Sequence, residues 1–137
     1  MKAVFCDTFF FLAAINQSDR RHHEALAWSN TYDGPLLTTA WIVTEMADAL
    51  AERQNRRAFE PFYQTLKEDQ RMRIVPAEPS LWERGLTRYF QRPDKEWSLT
   101  DCISFVVMQE EGLMEALTGD HHFGQAGFKA LLRENDL

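Results

Sequence analysis

The sequence predicts an α/β protein of three layers, in which a mainly parallel sheet of four or five strands lies between helices. Short apolar segments alternate along the chain with longer segments of helical periodicity. The strand-like segments are unbroken apolar runs, which is typical of strands buried on both faces of a sheet. Strands separated by helices need crossover connections, which are right-handed and make the strands parallel.

Four strands are predicted, with a possible fifth near the end of the chain. Each is a short, largely apolar run that ends at a polar residue, a proline or a turn. In chain order they cover residues 3–7, 36–38, 72–75 and 114–118, and the possible fifth covers residues 128–132.

Helices are predicted between these strands from the spacing of apolar residues and from end signals. Ser18 or Asp19 is expected to cap the second helix. Pro61 lacks a backbone donor and predicts a break or a late start in the fourth, whereas Pro79 suits the first position of the fifth. In order, the helices cover residues 9–14, 21–29, 39–53, 57–68, 79–91 and 98–111, with a short one after residue 120.

Length and composition indicate a single domain covering residues 1–137. The chain is 45% apolar and 26% charged, and 137 residues can bury one core without disulfide or metal staples. Its two cysteines, Cys6 and Cys102, are expected to be buried free thiols. No apolar run approaches the roughly 18–20 residues of a membrane-spanning helix, and no secretory signal is evident. These observations predict a cytoplasmic protein with no membrane partner.

The formal net charge of −6 argues against a broad basic face that coats nucleic acid. It does not exclude an enzyme that touches a few phosphates. The arginines are grouped locally, and one group consists of Arg53, Arg56 and Arg57. Such groups are more often solvated helix faces than a substrate track.

Four carboxylates occupy positions near strand ends or helix starts. Because parallel α/β sheets form their sites outside the carboxyl ends of the strands, we expect these acids to converge. Several carboxylates in one pocket cannot all ionise without a cation that offsets them. Oxygen ligands suit Mg²⁺ or Mn²⁺, ions that often take substrate phosphates as further ligands, so phosphodiester chemistry is predicted. The acids are Asp7, Glu45, Asp101 and Asp120.

Three of these acids also have a structural interpretation as helix caps. Asp7 and Asp120 can each be an N-cap, and Asp101 fits the third position of a capping box that begins at Ser98. The neighbouring histidines after Asp120 are expected to point about 100° apart on a helix, so they do not easily share one metal. The helix cap and metal ligation are compatible roles for one carboxylate.

Glu45 is the strongest physical argument for a metal. It follows an apolar stripe that includes Ile42, and no basic residue lies three or four positions away. A carboxylate that faces inward needs a partner to offset its loss of water. The structural alternative is a partly exposed position at the rim of the protein.

The segments 4–8 (VFCDT), 97–102 (WSLTDC) and 118–123 (TGDHHF), together with Glu45, are similar to the PIN-domain nucleases. Within that family the chain most resembles the small ribonuclease toxins of prokaryotic type II, VapBC-like toxin–antitoxin pairs. The resemblance covers essentially the whole chain. It implies an RNA substrate, one or two Mg²⁺ or Mn²⁺ ions, a homodimer and inhibition by a cognate antitoxin. It implies metal ligation by Asp7, Glu45, Asp101 and Asp120, supported by Thr8, Ser104 and Thr118.

Two other functions require residues that the chain lacks at the corresponding positions. An aspartyl phosphatase needs a second Asp at the position of Phe9, and a receiver domain needs a lysine after the fourth strand. The remaining alternative is a PIN-fold protein that acts mainly as a binding partner, with little or no nuclease activity. Its aromatic residues would then hold an antitoxin helix, although their spacing also fits core packing. These aromatics are Phe59, Phe62 and Tyr63, with Trp41.

Overall fold

The computed structural model describes residues 1–132 and is built around a sheet of five strands. The strands are β1 (Val4–Cys6), β2 (Leu36–Thr39), β3 (Met72–Val75), β4 (Glu115–Leu117) and β5 (Lys129–Ala130). Their order across the sheet is β3-β2-β1-β4-β5, and every neighbouring pair is parallel. The predicted α/β fold is confirmed, and the sheet is parallel throughout.

Seven α-helices connect or follow the strands in the described part of the chain. They are α1 (Thr8–Ile15), α2 (His22–Thr31), α3 (Ala40–Ala49), α4 (Phe59–Glu68), α5 (Pro79–Gln91), α6 (Leu99–Glu110) and α7 (His121–Gln125), with a 3-10 turn at Arg56–Ala58 before α4. Among residues 1–132, no helix combines the length and the apolar character that crossing a membrane requires.

Both faces of the sheet are covered. Successive residues on a strand point to opposite faces, yet Phe5 and Cys6 are both fully buried. Ala116 and Leu117 on β4 are buried in the same way. The apolar runs of the sequence thus belong to interior strands with helices on either side, and both cysteines are buried free thiols as predicted.

The end of α3 and the N-cap of α2 differ from the sequence prediction. Helix α3 ends at Ala49 instead of near residue 53, and Leu50, its C-cap residue, is buried in the core. The N-cap of α2 is Arg21, so the expected cap at Ser18 or Asp19 is wrong. The carboxylate of Asp19 accepts instead from the backbone of Arg21 at 2.8 Å and forms a turn before the helix.

The prolines and the remaining caps fall as expected. Pro61 lies in the first turn of α4, where an N–H has no partner within the helix, so the late start is confirmed. Pro79 is the first residue of α5. Thr39 caps α3 by accepting from the N–H of Ile42 at 3.2 Å. At the starts of α3, α4 and α5, these local signals therefore predicted the boundaries.

The strand order places a site at the middle of the sheet. Strand β1 is central, with β2 on one side and β4 on the other. Order reverses at β1, and in open α/β sheets ligands bind outside the carboxyl ends of strands at such a reversal. Asp7 follows β1 directly, and Asp120 lies three residues after the end of β4.

Candidate active site

A cleft of about 760 Å³ opens beyond the ends of β1 and β4. It contains all four acids that the sequence indicated, together with two more, Asp48 and Glu96, that sequence reasoning missed. Asp48 lies nearly one helical turn after Glu45, and Glu96 precedes the WSLTDC segment, so both had a positional signal. No lysine or arginine lines the cleft among the described residues. Its carboxylates are Asp7, Glu45, Asp48, Glu96, Asp101 and Asp120.

Asp7 is the most deeply buried acid of the cleft. It is only 6% exposed, and its Oδ2 accepts a hydrogen bond of 2.8 Å from Thr118 Oγ1. Burial raises the pKa of this carboxyl, and so do the nearby charges of Asp101 and Glu45, while the bond from Thr118 lowers it. The net result is a rise of the pKa from 3.8 to about 7. Asp7 is also the N-cap residue of α1, but its side chain makes no cap bond. Its carboxylate is therefore directed to the cleft.

Glu45 reaches the same cleft from α3. Its Oε1 accepts a hydrogen bond of 2.5 Å from Thr8 Oγ1, in the first turn of α1. Burial raises the pKa of Glu45, and the charges of Asp101 and Asp120 act in the same direction. No cation in the described chain pairs with it, which agrees with the absence of basic residues at helical spacing.

Asp101 makes two kinds of contact at the start of α6. It forms the predicted capping box: Ser98 Oγ accepts from the N–H of Asp101 at 3.0 Å, and Asp101 Oδ2 accepts from the N–H of Ser98 at 3.2 Å. The same Oδ2 lies 3.0 Å from His122 Nδ1. Burial is the largest cause of the raised pKa of Asp101, opposed by the Ser98 bond.

Asp120 is held by backbone contacts at the start of α7. Its Oδ1 accepts from the N–H of His122 at 2.9 Å, which makes it the helix cap, and its own N–H donates to Thr118 Oγ1 at 3.0 Å. Thr118 thus contacts both the first and the fourth acid. One hydroxyl fixes the ends of β1 and β4 relative to each other.

Ser104 was also predicted to support the acids, but within the described chain it makes no contact that would explain such a role. It is fully buried on α6, one turn after Asp101, and does not line the cleft. Its Oγ has no hydrogen-bond partner among the described residues. Thr8 and Thr118, the other two predicted supporting residues, both bond an acid of the cleft.

The histidines depart from the sequence expectation. His121 and His122 do not diverge: potential ligand atoms of these two residues and of Asp120 lie within 4.8 Å of one another. His121 is largely exposed and its Nδ1 is 3.7 Å from Asp120 Oδ1. His122 lies between Asp101 and Asp120, with its Nδ1 3.0 Å from Asp101 Oδ2 and 3.4 Å from Asp120 Oδ1. This pairing depends on the packing of α7 against α6, which sequence spacing does not reveal.

The cleft offers two arrangements for a cation, and they share Asp120. The His-containing group is more exposed, and its His122 already has a carboxylate partner. The four-acid set contains Asp7 and Glu45, which are desolvated and lack any basic partner in the described chain. A hard divalent ion fits the oxygen donors of that set and offsets its charge, so the four-acid set is the better match.

A model of the PIN domain matches residues 4–129 of the chain. The chain belongs to the PIN domain family. The resemblance seen in the VFCDT, WSLTDC and TGDHHF segments is thereby confirmed.

Similar proteins extend the comparison. This PIN-domain chain is 26% identical over 125 residues to the 23S rRNA-specific endonuclease VapC20 of two strains of Mycobacterium tuberculosis, over 91% of this chain and 95% of VapC20. The crystal structure of M. tuberculosis VapC20, described as a sarcin–ricin-loop-cleaving toxin, superimposes with a TM-score of 0.84 over 92% of this chain and 96% of that one. FitAcB from Neisseria gonorrhoeae, 17% identical, shares the fold with a TM-score of 0.63, over 93% and 94% of the two chains.

Proposed function

We propose that this protein is a metal-dependent endoribonuclease and the toxin of a toxin–antitoxin pair. The observation that carries the proposal is the convergence of four carboxylates, from four separate elements, on one cleft that no lysine or arginine lines among the described residues. Stability alone does not explain such an arrangement, because like charges at close range oppose folding. A site that must bind a cation and a phosphodiester does explain it.

Asp7, Glu45, Asp101 and Asp120 would hold one or two Mg²⁺ or Mn²⁺ ions. When bound, such an ion supplies a nucleophilic water at neutral pH and stabilises charge on the phosphate oxygens. The protein supplies the positions of the ligands. Thr118 holds Asp7, Thr8 holds Glu45, and the capping box of α6 holds Asp101.

The same residues control the charge of the cleft. Because the pKa of Asp7 is raised to about 7, its ionised form is costly near neutral pH unless a cation is bound beside it. The capping bond and His122 both engage Oδ2 of Asp101, and we expect the other oxygen, Oδ1, to be the one that binds the cation. A phosphate that enters without a cation meets six carboxylates and is repelled.

Similarity to VapC20 supports RNA as the substrate and toxicity as the role. VapC20 is named as a 23S rRNA-specific endonuclease and a sarcin–ricin-loop-cleaving toxin. By that likeness we propose that this chain acts in the cytoplasm as one domain over residues 1–137, as a homodimer, and under the control of a cognate antitoxin. Cleavage by this chemistry would leave a 5′-phosphate and a 3′-hydroxyl, as the family resemblance implies.

The test is cleavage of RNA by the purified protein with Mg²⁺ or Mn²⁺, compared with a chelator and with the Asp101→Asn variant. We expect cleavage only for the wild-type chain with metal, because the amide can keep the cap bond while removing the charge. Circular dichroism of the variant checks that the fold is kept. Cleavage by Asp101→Asn at the wild-type rate would show that the site assignment is wrong.

Toxicity is a separate question with its own measurement. Expression should arrest growth, the Asp101→Asn chain should not, and coexpression with the product of an adjacent reading frame should relieve the arrest. Mapping RNA ends after induction would identify the target. Growth arrest that persists in the Asp101→Asn chain would contradict a toxic nuclease.

The alternative of a binding partner without nuclease activity has less support. Phe59, Phe62 and Trp41 pack against the core, and Phe11 and Phe62 meet edge to face with ring centroids 5.2 Å apart. That packing gives these aromatics a structural role. All four predicted acids line the cleft, so no ligand of the proposed metal site has been lost.

A further inference from the structure

The acidic cleft leaves substrate affinity unexplained. Six carboxylates line it, and within the described chain it contains no arginine or lysine that could bind the phosphates on either side of the cleaved bond. Most of the affinity of a protein for a nucleic acid comes from phosphate contacts with basic side chains. If the protein cleaves RNA as proposed, those contacts must lie next to the cleft.

A depression lined by three arginines is linked to the cleft through a smaller depression beyond the end of α3. A shallow depression is lined by Asp48, which also lines the cleft, and by Arg56 and Glu60. Arg56 and Glu60 in turn line a second depression of about 660 Å³, together with Arg53 and Arg57. The surface is therefore continuous from the carboxylates to the three arginines. We name Arg53, Arg56 and Arg57 the arginine patch.

The arginine patch differs from five other arginines of the described chain in its lack of carboxylate partners. Among residues 1–132, Arg53 and Arg57 make no side-chain hydrogen bond or ion pair, and Arg56 donates only to the carbonyl oxygen of Ala51 at 3.3 Å. Elsewhere carboxylates lie 2.7–2.9 Å from the guanidinium groups of Arg21, Arg71, Arg73, Arg84 and Arg92.

We infer that the arginine patch binds the phosphate backbone of the RNA substrate beside the cleaved bond. Three exposed guanidinium groups oppose one carboxylate, Glu60, in the depression, so the local charge is positive although the chain carries −6. Arginine suits this task because its planar fork donates two parallel bonds to phosphate oxygens. The end of α3 and the turn that follows thus join the cleaving and the binding surface, since Glu45 and Asp48 lie on that helix. This inference rests on the proposed function.

The test uses the full chain and a labelled single-stranded RNA, in a chelator so that no cleavage takes place. Arg53, Arg56 and Arg57 are changed together to glutamine. The control R73Q/R84Q/K129Q also removes three positive charges, but it removes them from β3, α5 and β5, outside the cleft and both depressions. Fluorescence anisotropy gives the affinity of each chain at several salt concentrations.

The arginine-patch variant should bind more weakly and depend less on salt. Each lost phosphate contact lowers the slope of log affinity against log salt by about 0.7, so the slope should fall by about 2. Over a fourfold rise in salt, wild-type affinity should drop roughly 20-fold more than that of the variant. The control should keep the wild-type slope. R53Q/R57Q, which keeps the Arg56 contact, should show about two-thirds of the effect.

Equal slopes for the arginine-patch variant and the control would overturn the inference, because only total charge would then matter. Unchanged RNA binding with lost binding of poly-L-glutamate would assign the patch to an acidic protein and would also overturn it. The binding measurement does not depend on catalysis. A wild-type chain that binds RNA through the patch but never cleaves it would refute the proposed function and leave the binding surface intact.

Discussion

The cleft holds its four predicted acids in two different ways. The side chains of Asp7 and Glu45 accept hydrogen bonds from hydroxyl groups, those of Thr118 and Thr8. Asp101 and Asp120 instead accept from backbone N–H groups at helix starts and lie beside His122. We call Asp7 and Glu45 the threonine-held half of the cleft, and Asp101 and Asp120 the helix-cap half.

The difference shows where the evidence for function is concentrated. An acid at a helix start is explained by capping and by the helix dipole, whether or not it binds a metal. A buried acid whose pKa is raised to about 7 has no such explanation, because a neutral side chain of the same shape would fold at least as well. The threonine-held half therefore carries most of the argument for a cation.

The largest effect is expected from Asp7→Asn. Loss of this ligand should reduce metal-dependent RNA cleavage to the level seen in a chelator, because the amide cannot offset a divalent charge. Single-turnover cleavage with Mn²⁺ measures the loss. Asp33→Asn, which removes one exposed acid from the loop before β2, is the matched control and should cleave as wild type. Full activity of Asp7→Asn would place the metal in the helix-cap half alone.

The next largest effect concerns the free energy of unfolding of the metal-free protein and its dependence on pH through Asp7. Between pH 4 and pH 7 folded Asp7 keeps a proton that the unfolded chain releases, so rising pH favours unfolding through this group. The pKa shift corresponds to roughly 4 kcal/mol by pH 8, relative to pH 4. In a chelator, the free energy of unfolding of wild type minus that of Asp7→Asn should therefore fall across this window. A constant difference measured by urea unfolding would contradict it.

A smaller loss, in metal affinity, is expected when the hydroxyl group of Thr118 is removed. Thr118→Val keeps the shape of the side chain but no longer donates to Asp7 or accepts from Asp120. Outer partners of metal ligands are worth about 10–100-fold in affinity or activity, so the metal affinity should fall by that order. Thr118→Ser retains the hydroxyl and should recover most of it. Metal titrations that give equal affinity for Val and Ser would argue against this role.

The smallest effect tests the helix-cap half. Ser98→Ala removes the acceptor for the N–H of Asp101 and should lower the free energy of unfolding by about 1 kcal/mol. Cleavage should change little, because Asp101 still accepts from the backbone of Ser98 and lies beside His122. Ser18→Ala, at an exposed position that caps no helix in the structure, should leave stability unchanged. A catalytic loss as large as that of Thr118→Val would remove the distinction between the halves.

The sequence predicted the parts of the fold that local chemistry decides. Strand β3 and helix α5 have the predicted bounds, and the capping box at Ser98 and Asp101 needs only residues three apart. The end of α3 was missed because residues 50–53 have good helix propensity, and the burial of Leu50 overrides it. Propensity is local, whereas that burial depends on the whole core.

Within the site, the acids were predictable and some of their neighbours were not. The family resemblance and strand ends indicated Asp7, Glu45, Asp101 and Asp120. His122 was missed because its contact with Asp101 joins residues 21 positions apart on two helices. Asp48 and Glu96 lack a motif of their own. Their membership of the cleft follows from the direction of α3 and of the loop before α6, which only the packed structure defines.

The bond between Thr118 and Asp7 joins positions 111 residues apart, which has a consequence for synthesis of the chain. While the ribosome extends the polypeptide, β1 and its acid exist long before the hydroxyl that holds them. Any product that stops short of residue 118 also lacks Asp120. If the chain cleaves RNA, its own message and ribosome are the RNA nearest to it, and the cleft is not assembled until residues 118–120 have been made.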